Sequence, residues 1–291
     1  MIHQIITYFD ICLENRMPSS DHLPVFLNSC TLNKLLSDTQ LIIVDLGRID
    51  RYRKYHLPNA LWLDYACLIS GEKPATGLLP TNSALAKLIH SIGLKPDSIV
   101  VAYDDLGGGA SARLVWLLNV LGFYRASSLD GGIQSWVEEG FKTTSDACDR
   151  NPSEEYQLPT FYTDSLATKE DILDHLFDRN VQLVDCRSVD EFTGIKKLAN
   201  RGGHIPGAIN IDWNSTKISD TNQRLKNQDT LISMISDRNL KPDLETIVYC
   251  QTHHRSSHSY LLFKHLGFNR VRGYAGSWSE WGNDDTLPIT T

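Results

Sequence analysis

Positive charge is scarce in this 291-residue chain: 28 Lys and Arg against 35 Asp and Glu leave a formal net charge of −7. That balance removes the electrostatic footprint of a protein that binds nucleic acid or an anionic membrane surface. Long hydrophobic runs are missing too, so no segment reads as a membrane span. The N-terminus lacks a basic lead and meets Asp10 and Glu14 early, which argues against a secretory signal. Cysteine is thinly spread, at Cys12, Cys30, Cys67, Cys148, Cys186 and Cys250, without close pairing. A disulfide framework is therefore not expected; reduced thiols in a cytoplasmic compartment are. Gly202-Gly203 and the glycine run at 107–109 lack the Gly-Lys-Ser/Thr ending of a phosphate loop. What is present is an ordinary globular composition, 41% apolar, with chain enough for one large domain or two of usual size.

The chain repeats itself. Leu41-Ile-Ile-Val-Asp45 returns as Val181-Gln-Leu-Val-Asp185, and His56-Leu-Pro-Asn-Ala60 as His204-Ile-Pro-Gly-Ala208. Leu121-Gly-Phe123 matches Leu266-Gly-Phe268, and Gly131 to Trp136 matches Gly276 to Trp281. A nearly constant offset means two copies of one domain. The division expected is an extension over 1–23, a first domain over 24–141, a linker over 142–160 and a second domain over 161–291. In each copy short apolar runs alternate with amphipathic segments, which predicts an α/β fold around a mainly parallel sheet. His204, like its counterpart His56, is expected to secure the turn before the following proline position.

Residues 247–255, Ile-Val-Tyr-Cys-Gln-Thr-His-His-Arg, concentrate the chemistry. An apolar strand ends in Cys250, a polar loop follows, and a helix is predicted to begin at or near Ser256. A cysteine so placed meets unpaired backbone N–H groups at the positive end of a helix dipole. That lowers a thiol's pKa and makes a nucleophilic thiolate. His253, His254 and Arg255 add charge or donors. Asp185 and Arg187, just past another strand, are expected to converge there as a brace, with an ordinary surface ion pair as the alternative. In the first copy Asp104 falls opposite Cys250, in an acidic, glycine-rich loop read as unable to act as a nucleophilic anion cradle and as catalytically inert. That loop offers no basic side chain before Arg113. Cys186 is discounted as a nucleophile because the neighbouring Asp185 should raise its pKa. Cys250 with His253, His254 and His258 makes a weak metal set, since no second ligand pair accompanies it. No metal or cofactor is expected. Trp213, Trp278 and Trp281 read as packing, with Trp213 or Trp278 available to wall a pocket.

The pattern Val-Asp-Cys-Arg-Ser…Glu-Phe (184–192), Gly-His-Ile-Pro-Gly-Ala-Ile-Asn (203–210), the Cys250 loop and Ala-Gly-Ser-Trp-Ser-Glu-Trp-Gly (275–282) together resembles a tandem rhodanese. The resemblance covers nearly the whole chain from about residue 24. It implies an inactive first and an active second domain, and sulfur transfer through a persulfide on Cys250. The loop residues Gln251, Thr252, His253, His254, Arg255 and Ser256 would hold the outer sulfur or the donor. Two roles are open to Arg255: facing the donor's oxygens, or forking onto loop carbonyls or a carboxylate such as Asp185 or Glu191. Expected partners are a small sulfur donor and a thiophilic acceptor, cyanide, a thiol or a sulfur-accepting protein. Thiosulfate is the favoured donor and 3-mercaptopyruvate the alternative. A non-enzymatic persulfide carrier is a further reading. A cysteine phosphatase or arsenate reductase is disfavoured, because those wrap a tetrahedral oxyanion with Cys-x5-Arg and this loop is Cys-x4-Arg.

Overall fold

A computed structural model describes residues 23–148 and 164–291. The expected extension, apart from residue 23, and most of the expected linker lie outside the described residues. The first half contains strands β1 (Phe26–Leu27), β2 (Leu41–Asp45), β3 (Ala60–Trp62), β4 (Ile99–Tyr103) and β5 (Ala126–Leu129). Its helices are α1 (Ser29–Leu35), α2 (Ile49–Tyr52), α3 (Asn82–Ser91), α4 (Gly109–Val120) and α5 (Gly132–Glu138). The second half repeats the plan with β6 (Leu166–Ala167), β7 (Val181–Asp185), β8 (Ile209–Asn210), β9 (Glu245–Tyr249) and β10 (Arg270–Tyr274). Helices α6 (Lys169–Asp174), α7 (Val189–Phe192), α8 (Gln228–Ser236), α9 (Arg255–His265) and α10 (Ser277–Trp281) complete it. The sheet orders are β1-β5-β4-β2-β3 and β6-β10-β9-β7-β8, with every pairing parallel. Parallel strands covered on both faces read as continuous apolar runs, as Leu41–Val44 and Ile247–Tyr249 do.

The middle strand of the second sheet is β9, and Cys250 follows its last residue. In open α/β sheets that carboxyl edge is where ligands bind. Helix α9 leaves the same edge, buried from Ser256 through Phe263, and α4 of the first half is buried over all its residues. Helices buried along this much of their length are sandwiched, although α9 carries Ser256, Ser257, His258 and Ser259 inside. These two pack against each other across the domain boundary. Trp116 and Leu117 of α4 join Tyr260, Leu261 and Phe263 of α9 in one buried cluster fed by both halves. The Tyr260 hydroxyl reaches Asn119 Oδ1 at 3.2 Å, and Arg224 pairs with Glu138 and Glu139 at 2.6 and 3.0 Å. The two copies are thus welded, and the edge that carries Cys250 faces its neighbour.

His204 and His56 do the same work in the two copies. Each ring stacks on an aromatic of the preceding short helix, Phe192 or Tyr52. Each Nδ1 bonds that residue's carbonyl, at 2.9 and 2.8 Å.

Candidate active site

Cys250 is 1% exposed, with its carbonyl accepting the Trp278 N–H at 2.9 Å and its own N–H donating to Ser277 Oγ at 3.3 Å. The chain then turns through His253, held at φ +54°, and enters α9 at Arg255. No side chain caps that helix, so its first amides stay free for the sulfur. Burial by itself pushes the Cys250 thiol up. The Arg255 charge, the Ser256 hydroxyl and the amides of Ser256 and Thr252 outweigh it, and the pKa lies below an ordinary thiol's.

The loop is locked from the second domain's side. Arg255 forks onto Glu191 at 2.7 and 2.8 Å, so of its two expected roles the carboxylate fork is the one observed. Glu191 is itself placed by a capping box with Ser188 at the start of α7. Burial would raise its carboxyl, but Arg255 and Ser188 hold it down at about 2. The Gln251 amide donates to the Leu198 carbonyl at 2.9 Å, and the Gln251 carbonyl takes the Ser279 N–H at 2.9 Å. Asp185 and Arg187 are buried, which excludes the surface-pair alternative. Arg187 donates to both Asp185 oxygens and, at 2.6 Å, to the Gly203 carbonyl. Its guanidinium lies 4.5 Å from the centre of the Trp278 ring. Since the Trp278 N–H bonds the Cys250 carbonyl, this ion pair braces the loop through Trp278. Trp213 stands edge-on to His254 and His258. Cys186 is also buried; burial first, then the neighbouring sulfur and Asp185, push its thiol well up.

Of the charge or donor roles open to the loop histidines, the hydrogen-bonding one is seen at His253, and burial holds both imidazoles below their usual range. His253 bonds Ser256 Oγ through Nδ1 at 2.7 Å, and His254 meets Tyr65 and Trp213 edge-on. The first copy's acidic loop, in turn, is a fully formed anion cradle. Asp104 occupies the place of Cys250, and its carboxylate accepts the N–H groups of Leu106, Gly108, Ala110 and Ser111 at 2.9 to 3.0 Å. The cradle has kept its shape and filled itself, leaving no nucleophile.

That first copy also reaches the site. Any side chain at Gly77 would collide with the Thr252 and Ala275 carbonyls, and one at Gly109 with the His254 ring. Tyr65 and the buried Arg113 arrive with these segments. Lys217, from the second domain, sits 3.3 Å from the centre of the Trp213 ring, its pKa pushed down to about 8 by burial against the pull of Asp104, Asp212 and Asp220. No local motif marks Tyr65, Lys217 or Arg113, and the last stands in the sequence only as the first base after an inert loop.

Comparison with known proteins agrees with this geometry. The model of the rhodanese-like domain matches residues 31–139 and 168–284. A thiosulfate sulfurtransferase of Azotobacter vinelandii is 37% identical over 274 residues, 92% of this chain and 97% of that protein. One of Pseudomonas aeruginosa is 37% identical over 270 residues with the same coverage. The sulfur carrier protein TtuD of Thermus thermophilus is 29% identical over 283 residues, covering 93% of this chain and 95% of its own. In fold the chain is similar to SseA from Escherichia coli, a 3-mercaptopyruvate sulfotransferase, with a TM-score of 0.77 at 23% identity, covering 88% of this chain and 99% of that one.

Proposed function

The chain belongs to the rhodanese family of sulfurtransferases, and we propose that it transfers the outer sulfur of thiosulfate to a thiophilic acceptor through a persulfide on Cys250. The observation that carries this reading is a buried thiol whose pKa is nonetheless lowered, by a guanidinium, a hydroxyl and loop amides aimed at the sulfur. The Cys250 thiolate attacks the outer sulfur of S–SO3(2−). The new S–S bond forms as the old one breaks, and its electron pair leaves with sulfite. Cyanide or a thiolate then attacks the outer sulfur of Cys–S–S(−), leaves as thiocyanate or a new persulfide, and restores the thiolate. The loop of four residues between Cys250 and Arg255 suits a single sulfur better than a tetrahedral oxyanion.

Thiosulfate is favoured because the two relatives at 37% identity bear its name and because the loop has no small Gly-Ser-Gly run to admit a keto acid. Intact mass after incubation with thiosulfate should rise by one sulfur atom, and kcat/KM with thiosulfate and cyanide should exceed that with 3-mercaptopyruvate. The reverse preference would overturn the donor assignment. Sulfur loading without turnover would favour the carrier reading, which the TtuD relationship also supports.

A further inference from the structure

A guanidinium wholly removed from water is costly unless an anion compensates it. Arg113 in α4 is 0% exposed, and no carboxylate pairs with it among the described residues. Its Nε and Nη2 are spent on the carbonyls of Leu68 and Gly77, at 3.3, 3.1 and 2.7 Å, while its Nη1 is buried with no partner. The hydroxyl of Tyr65 is likewise buried and unpartnered. Both groups belong to the part of the first domain that closes on the Cys250 loop. The carbonyl that holds Arg113 is that of Gly77, which abuts Thr252 and Ala275. The Arg113 guanidinium lies 4.5 Å from the centre of the Trp116 ring, and Trp116 in turn meets His253 edge-on at 4.3 Å. Tyr65 meets His254 edge-on at 5.3 Å.

We infer that the free Nη1 of Arg113 and the hydroxyl of Tyr65 are a sulfur-binding pair, contributed by the first domain, that holds the outer sulfur of the Cys250 persulfide. This rests on the persulfide reading above. The loop amides and Ser256 reach the Cys250 sulfur from the second domain, and Arg113 and Tyr65 interact electrostatically with the same residue from the first. A second sulfur bonded to Sγ extends the anion by about 2 Å. A persulfide is anionic, so it offers these two orphaned donors an acceptor alongside the loop amides. Arg113 can serve at neutral pH: burial pushes its pKa down only to about 10, with Tyr65 and Cys250 opposing. Arg255, by contrast, shares its charge with Glu191. The second copy therefore needs the first as more than scaffold.

The test compares wild type, Tyr65→Phe and Arg113→Met in the full-length protein, with folding checked by circular dichroism. The persulfide is loaded with thiosulfate, or with polysulfide should thiosulfate fail, so the donor assignment and this inference stand or fall separately. Two quantities are read by intact mass: the half-life of the added sulfur, and the pH midpoint of persulfide alkylation. Tyr65→Phe should shorten the half-life about tenfold, and Arg113→Met should do so by more while raising the alkylation midpoint by about one pH unit. If both variants fold yet keep the wild-type half-life and midpoint, the pair does not bind sulfur. Should Arg113→Met fail to fold, Tyr65→Phe decides alone, since it removes a single oxygen that holds nothing up.

Discussion

Replacing Arg255 with Met removes the guanidinium that Glu191 grips at 2.7 and 2.8 Å and keeps the apolar stem. A unit charge roughly 4–8 Å from the sulfur, at an effective dielectric of about 20, is worth about 2–4 kcal/mol to the thiolate. Glu191 offsets part of that, leaving a net contribution of about 1–2 kcal/mol. Without Arg255 the Glu191 carboxylate is also left facing the sulfur uncompensated, so the Cys250 pKa should rise by about 1–2 units. Glu191→Gln does the reverse: the full guanidinium charge acts on the sulfur, and the pKa should fall. The assay is the pH dependence of Cys250 alkylation by iodoacetamide, followed by intact mass. With thiosulfate, Arg255→Met should lower kcat/KM by about one to two orders of magnitude. Stability reports the same pair. Breaking a buried ion pair costs about 3–5 kcal/mol, and the Arg255 side chain is 20% exposed, so a loss near 2–3 kcal/mol is expected. The sign with pH follows from Glu191, whose folded pKa of about 2 lies below its usual 4.5. Its stabilisation is complete above pH 4.5 and fades as pH falls through about 2, a dependence that Arg255→Met should erase. Midpoints that move the same way in both variants, or not at all, would refute this electrostatic account.

Cys250→Ser should abolish sulfurtransferase activity, and Cys250→Ala should gain no sulfur mass, while Cys186→Ala still loads; sulfur on Cys186 in the Cys250→Ala protein would contradict the assignment. Asp104→Ala should leave turnover of the folded enzyme nearly intact but strip four amides of their acceptor, costing about 2–4 kcal/mol in denaturant unfolding. Lys217 loses its proton as pH rises through about 8, so kcat/KM for the dianionic donor should decline above that pH, and Lys217→Arg should carry the plateau higher. An unchanged alkaline limb in Lys217→Arg would show that the Lys217 charge plays no part in donor binding.

Some of this protein was already legible in one dimension. The duplication follows from matched motifs, and the parallel sheets follow from apolar runs such as Ile247–Tyr249, because both are local patterns that a strand or a repeat imposes on its own residues. Cys250 stood out for the same reason: strand end, loop and helix start are consecutive in the chain. The tertiary structure alone decided which charges the sulfur meets. Whether Arg255 was free or engaged depended on Glu191, 64 residues away, which the sequence offers only as one of several candidate partners. Nor could a linear reading tell that Asp104 satisfies its own cradle, since that depends on the loop's amides turning inward. Tyr65 and Arg113 approach the Cys250 loop only because α4 and α9 bury their apolar faces on each other. Long-range packing sets that approach, and it leaves no periodic mark on either segment.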